Sequence, residues 1–202
     1  MTTPMPNKLT RRLLLGALAG VTLAPKTALA LDEASARALV EKMIAEIFSV
    51  ISSGKPEAAM LRDFEKLFVR YGDIDIMARY TLGNDGRTAS PAQKAAYSKA
   101  FQGYISRKYG KRFREFIGGR IEVKSARPIK AGYEIKSTAY LQGSNPFEVT
   151  FLVSDKSGRD LFFNMFIEGV NLLLAERTEI GAMLDRRKGD LDQLTADLRV
   201  AG

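Results

Sequence analysis

Residues 133–141 read YEIKSTAYL and residues 147–153 read FEVTFLV, and these two runs decide the fold. Tyr133, Ile135, Ser137, Ala139 and Leu141 alternate with Glu134, Lys136, Thr138 and Tyr140, and Phe147, Val149, Phe151 and Val153 alternate with Glu148 and Thr150. A period of two is that of strands with one face turned to a core. Gly143-Ser144-Asn145-Pro146 between the runs is turn chemistry, short enough to require antiparallel pairing. Upstream, Ile121 and Val123 begin a strand that a turn from Pro128 to Gly132 reverses. Downstream, Ser157-Gly158-Arg159-Asp160 makes the last hairpin, into Leu161 to Val170. The expectation is a meander of four antiparallel strands.

On either side of this block the apolar period is 3.6 rather than 2. Ala36, Leu39, Val40, Met43, Ile44, Ile47, Phe48 and Ile51 form one helical stripe, ended by Ser52-Ser53-Gly54-Lys55-Pro56. Pro56 is placed to open the next helix, with Leu61, Phe64, Leu67, Phe68 and Tyr71 facing in. Asp73 caps a short helix carrying Ile74, Met77 and Ala78 that stops near Gly83. Ser90-Pro91-Ala92-Gln93 is a capping box with proline at the first helical position, opening a helix with Tyr97, Phe101, Tyr104, Ile105 and Lys108 on one side. Two helices close the chain, the last opening at Asp190 with Gln193 three residues on. Helices, four strands, helices predicts an α+β domain over residues 31–202, an antiparallel four-stranded sheet packed against helices that enclose either a solid core or an apolar cavity.

The strand Leu161-Phe162-Phe163-Asn164-Met165-Phe166-Ile167 is apolar on both faces, interrupted only by Asn164. A sheet with one wet face alternates, so this strand has apolar matter on each side. A core packed from both sides is one reading, and a cavity that takes acyl chains is the other.

The full chain carries +8, with no cysteine, histidine or tryptophan. Without Cys there is no disulfide, thiol nucleophile or thiolate-held metal, and without His the commonest general base and metal ligand are missing. The first thirty residues have the build of a secretory signal. They show a basic start (Lys8, Arg11, Arg12), an apolar run from Leu13 to Ala24, and the small residues of Ala28-Leu29-Ala30. Thr10-Arg11-Arg12-Leu13-Leu14-Leu15-Gly16 resembles a twin-arginine export signal, with an ordinary secretory signal as the alternative. Either destination lies beyond a bacterial inner membrane, in the periplasm. Removing residues 1–30 takes away Lys8, Arg11, Arg12 and Lys26 and no acidic residue, which leaves +4. That charge does not favour nucleic acid as a partner. The apolar run is also shorter than the roughly 20 residues that span a bilayer, so the processed chain is not expected to cross one.

Motifs for catalysis fail on inspection. Ser52-Ser53-Gly54-Lys55 matches S-x-x-K, but Gly54 and Pro56 break the helix that would place the lysine, and no partner motif exists. Asp73 and Asp75 lack the turn residues and the later Glu of a calcium loop. Gly103 to Lys111 has the wrong glycine spacing for a phosphate loop. The expectation is a protein that is not an enzyme and uses no cofactor and no metal. The cationic stretch Arg107, Lys108, Lys111, Arg112 and Arg114 has Tyr104, Tyr109, Phe113 and Phe116 interleaved. It reads either as a solvated helix end suited to the dipole or as a contact patch for anionic headgroups or an acidic partner.

Several stretches taken together carry a resemblance. They are Phe68-x-x-Tyr71-x-Asp73-Ile74, Ala78-Arg79-Tyr80-Thr81-Leu82-Gly83, Thr88-Ala89-Ser90-Pro91-Ala92-Gln93 and Phe101 to Tyr109. Ile167-Glu168-Gly169-Val170-Asn171-Leu172, Arg177 and Leu191-Asp192-Gln193-Leu194 continue them in order. The chain resembles the periplasmic phospholipid-binding component of Mla-type lipid transport systems, also described as toluene-tolerance or ABC-transport auxiliary proteins. It departs from that pattern at Gly86-Arg87, at Asp160 to Asn164 and at Asn171. The resemblance implies a shuttle that carries phospholipid between an outer-membrane lipoprotein complex and an inner-membrane ABC transporter complex.

Combined with strand alternation, it points to Tyr133, Ile135, Phe147, Val149, Phe151, Phe163, Met165 and Ile167 as the sheet side of a lipid pocket. Phe101, Tyr104 and Ile105 would come from the facing helix, and Arg107, Lys108, Lys111 and Arg112 would form the partner-docking patch. The competing classes are a periplasmic solute-binding protein for another small amphipathic or polar ligand, and a structural adaptor with a solid core.

Overall fold

The structure, a computed structural model, describes residues 31–202; the signal reading of residues 1–30 lies outside them. The helical layer begins with α1 (Glu33–Ile51), α2 (Glu57–Tyr71) and α3 (Ile74–Leu82). It continues through a 3-10 turn at Asp85–Arg87 into α4 (Pro91–Arg112) and a second 3-10 turn at Phe113–Phe116. The sheet follows as β1 (Arg120–Ile129), β2 (Gly132–Tyr140), β3 (Phe147–Ser154), β4 (Leu161–Ile167) and β5 (Val170–Asn171). Then α5 (Leu172–Arg186) and α6 (Leu191–Val200) close the chain.

The starts named from sequence are made by the side chains expected. Asp73 caps α3 and Asp190 caps α6 through the amides of Asp192 and Gln193, while α1, with no start read from sequence, opens on Asp32, which accepts from the Ser35 amide. Both reciprocal bonds of the Ser90–Gln93 capping box are present at α4. Pro56 stands one position outside α2 rather than inside it. Gly110 on α4 lies so close to α2 that a Cβ there would meet Leu61 Cδ2 at 2.6 Å, which sets how tightly those helices close.

The sheet runs in sequence order, β1-β2-β3-β4-β5, with every neighbouring pair antiparallel. It has five strands rather than the four expected. The run from Leu161 to Val170 is broken at Glu168 and Gly169, whose φ values of 49° and 79° reverse the chain into the two residues of β5. β1 also runs further than expected, with Pro128 inside it opposite Tyr133. β1 is an edge strand, where proline's missing N–H is tolerated.

Direct pairing puts Ala126, Ile135, Phe151 and Met165 in one cross-strand row, and Ser137, Val149 and Ile167 in the next. This face carries the buried residues Ile135, Ala139, Val149, Phe151 and Val153, and the helices lie against it. The opposite face carries the Arg127–Glu134 and Lys136–Glu148 ion pairs. The alternation read from residues 133–141 and 147–153 therefore has its apolar members toward the helices.

Candidate functional site

β4 is where the alternation fails, and the failure shapes the site. Phe151 pairs with Met165 and Leu152 with Asn164, but Val153 pairs with Phe162, so Phe163 is an extra residue in a β-bulge. A bulge of this kind re-aims side chains, and here both Phe162 and Phe163 line the same apolar pocket. Phe162 packs edge-on against Phe68 of α2 with ring centroids 5.8 Å apart. The segment before α3 is pinned to the same strand, because the Asp73 amide donates to the Phe162 carbonyl at 2.8 Å.

The pocket has a volume of about 80 Å³ and lies between the helices and the β3–β4 part of the sheet. Its helical wall comes from Met43 and Ile47 on α1, Phe64, Leu67 and Phe68 on α2, Met77 on α3, and Phe101, Ile105 and Tyr109 on α4. Its sheet wall is Phe151 with Phe162, Phe163, Asn164 and Met165, and Phe113, Leu172, Leu173 and Glu176 complete it. The polar groups of Asn164 are committed. Its amide nitrogen donates to Asn171 Oδ1, and its oxygen accepts from the amides of Met165 and Leu173.

Five of the eleven residues assigned to the pocket from sequence line it: Phe101, Ile105, Phe151, Phe163 and Met165. Ile135 and Val149 are buried in the core nearby, and Tyr133 packs against that core partly exposed. Phe147 turns to Phe116, with ring centroids 6.3 Å apart, and Ile167 is half-buried opposite Val149. Tyr104 is buried, with its hydroxyl donating to Glu179. Wall residues that sequence did not assign come mostly from α1, α2 and α5. Those of α1 and α2 lie on stripes whose helical period marks them as buried without saying against what, and no face is read for α5.

A polar cluster lies beside the pocket, between α4 and α5. Glu176 on α5 is 3% exposed, and its Oε1 accepts from the Tyr109 hydroxyl at 2.6 Å and lies 2.8 Å from Lys108 Nζ. Lys108 also reaches Glu179 Oε2 at 2.6 Å and the Tyr104 hydroxyl oxygen at 3.0 Å. Burial tends to lower the Lys108 pKa, but the hydrogen bonds to Glu176 and Glu179 outweigh it and the group stays above its ordinary value. Burial, followed by the nearby Glu176, pushes the phenols of Tyr104 and Tyr109 up, so both remain hydrogen-bond donors.

These contacts change the reading of the basic helix end. Lys108 is bound inside the cluster, and Arg107 donates to the carbonyls of Leu198 and Ala201 at the end of α6. Neither side chain is free to meet a partner. Lys111 and Arg112 are exposed, Lys111 resting on the Gly202 carbonyl.

A second, wider groove of about 690 Å³ runs between α3 and the start of α4, bordered by Asp75, Arg79, Arg87 and Lys94. Its rim is charged, and it does not touch the aromatic residues of β4. Among the described residues no group of three or more acidic side chains is placed to hold a metal, and no helix is long and apolar enough to cross a membrane.

The family model described as MlaC protein matches residues 41–200. Among solved structures, the fold matches a phospholipid-binding protein from Ralstonia solanacearum, determined in complex with a phospholipid. The TM-score is 0.66 at 19% sequence identity, and the match covers 81% of this chain and 98% of that one.

Proposed function

Since this chain belongs to the MlaC protein family, we propose that it binds phospholipid by its acyl chains between sheet and helices and carries it across the periplasm between membrane-bound complexes. The observation that carries this reading is the pocket wall, which is mostly aliphatic and aromatic from five helices and two strands and has Phe162 and Phe163 of β4 turned into it. The Ralstonia protein of the same fold was solved with a phospholipid bound, which supports the same cargo here.

Energetics decide how such a protein works. Burying a methylene is worth ~0.8 kcal/mol, so two chains of about thirty methylenes gain on the order of 20 kcal/mol relative to water. Escape through water is negligible, and transfer takes place on docking to an acceptor. Relative to a bilayer the same burial gains almost nothing, so the pocket does not set direction. A volume of about 80 Å³ is below the roughly 150 Å³ that takes up a benzene ring. Loading therefore requires the helical and sheet walls to part.

A small polar solute would need several converging free polar groups, and the Asn164 amide is already committed. The family and the phospholipid-binding structural neighbour support a binding protein rather than an enzyme.

The test is native mass spectrometry of the protein purified from the periplasm, with extraction of what it carries. The expected result is a phospholipid adduct on most molecules. A bare protein mass, together with no uptake from phospholipid vesicles, would overturn the reading.

A further inference from the structure

Leu31 is the residue that removal of residues 1–30 would leave first in the chain, and the fold holds it from two sides. Its side chain is half-buried and packs against the core, while its backbone nitrogen donates to Asp155 Oδ2 at 3.2 Å. Asp155 stands in the turn between β3 and β4, so this contact joins positions 124 residues apart. Two further carboxylates lie beside it. Asp32 precedes α1, and Asp160 ends the β3–β4 turn, where burial first and then the charges of Asp155 and Asp32 raise its pKa. Among the described residues none of these three carboxylates has an ion-pair partner. Of the other charged groups on these segments, Glu33, Lys130 and Lys156 are exposed, and Arg159 donates to the Arg70 carbonyl.

From this geometry we infer that Asp32, Asp155 and Asp160 form the seat of an α-ammonium at Leu31, created when the signal segment is cut between Ala30 and Leu31. The assignment rests on the secretory-signal reading of residues 1–30 and not on the lipid cargo. Hydrolysis of that peptide bond by a signal peptidase consumes one water. Ala30 leaves as a carboxylate, and the Leu31 nitrogen becomes an ammonium. In the uncut chain the same nitrogen brings one N–H and no charge to three carboxylates. After cutting it brings three N–H and a positive charge, and charge-assisted bonds are roughly twice as strong as neutral ones. The seat ties the start of α1 to the β3–β4 turn, and Met43 of α1, Phe151 of β3 and Phe162 of β4 all line the pocket. Processing thus adds stability to the pocket wall. An ammonium among carboxylates titrates above the roughly 8 of a free α-amine. Its stabilisation is complete below about pH 8 and is lost as pH rises through the raised folded value.

The experiment uses the full chain, expressed with its own signal segment and recovered from the periplasm. N-terminal sequencing is expected to find Leu31 first. The α-amine is then titrated through the Leu31 Cα shift in NMR of carbon-labelled protein. Its midpoint is expected at about 9 or above, at least tenfold in proton affinity over a free α-amine at roughly 8. In Asp155→Asn combined with Asp160→Asn the midpoint should fall back about tenfold, toward 8. Asp63→Asn, on α2 and paired with Lys55 and Lys66, leaves the wild-type midpoint in place.

A wild-type midpoint near that of a free α-amine would overturn the seat, and so would a raised midpoint that the double variant leaves in place. A first residue other than Leu31 would overturn it together with the cleavage boundary read at Ala28-Leu29-Ala30. If the double variant does not fold, the wild-type midpoint alone decides. None of these results bears on the phospholipid reading, which lipid extraction tests separately.

Discussion

Lys108 on α4 holds its ammonium 2.8 Å from the carboxylate of Glu176 on α5, whose side chain is 4% exposed. The two residues lie far apart in the chain and are joined by the fold, with Glu176 also lining the pocket. Breaking a buried pair from one side leaves an uncompensated charge, which costs more than removing both charges together.

Lys108→Met should therefore lower stability by about 3 kcal/mol, a drop in Tm on the order of 10 °C for a domain of this size. Adding Glu176→Leu should recover most of that, leaving about 1 kcal/mol for the Tyr109 hydroxyl deprived of its acceptor. Thermal unfolding followed by circular dichroism measures both. A double variant no more stable than Lys108→Met would show that the pair is not the strained element.

The pocket wall and the core behind it should separate experimentally, since Phe163 lines the pocket while Val149 is buried outside it. Phe163→Asp should cut lipid carried per protein on the order of tenfold while the domain stays folded, because the bulge holds this half-buried ring off the tightest packing. Val149→Ala should cost about 2 kcal/mol of stability and leave the lipid load unchanged. Lipid extraction and urea unfolding on the same preparations check the pair. A reversed pattern would place the cargo against the other part of the sheet.

Acid should weaken the fold through particular carboxylates. Hydrogen bonds from Arg120 and Lys124 hold the Glu122 carboxyl down at about 2, and the bond from Lys108 holds Glu179 below its ordinary value. Both folded-state values lie below the unfolded value of 4.5. Their stabilisation is thus complete above about pH 4.5 and is lost as pH falls through the lowered values. Carboxyl-detected NMR should find the Glu122 midpoint near 2, rising toward 4.5 when Arg120 and Lys124 are both changed to Gln. A midpoint near 4.5 in the wild type would remove Glu122 from this account.

Much of this architecture was legible locally. The Ser90–Gln93 box, the Asp73 and Asp190 caps and the alternation of β2 and β3 each depend on residues within a few positions of one another. Phe162 was not legible, because a strict period of two sends it to the far face and only the bulge at Phe163 brings it round. β5 was hidden in the same way by the reversal at Glu168 and Gly169. Arg107 and Lys108 looked like surface cations because the groups that hold them, the α6 carbonyls and Glu176, lie about seventy to ninety residues away along the chain. Periodicity marks a face as buried but does not name its neighbour, and for that reason α1 and α2 were seen as core rather than as pocket wall.

The basic helix end makes a last prediction, now carried by Lys111 and Arg112 alone. On the proposed carrier function lipid does not leave through water, so an acceptor is met and oriented, and exposed charge does this at long range. Lys111→Glu combined with Arg112→Glu should slow transfer of labelled lipid from loaded protein to envelope membranes of the producing bacterium, on the order of tenfold at low salt. The difference should shrink as salt screens the field, and the lipid carried before mixing should not change. Arg107→Glu should behave otherwise, because it removes the donor that closes the α6 carbonyls and puts a negative charge against them. Its effect should appear first as lost stability, with transfer per folded, loaded molecule unchanged. Equal transfer by the Lys111/Arg112 variant and the wild type at low salt would move the docking surface away from this helix end, with the cationic rim formed by Arg79, Arg87 and Lys94 the next to reverse.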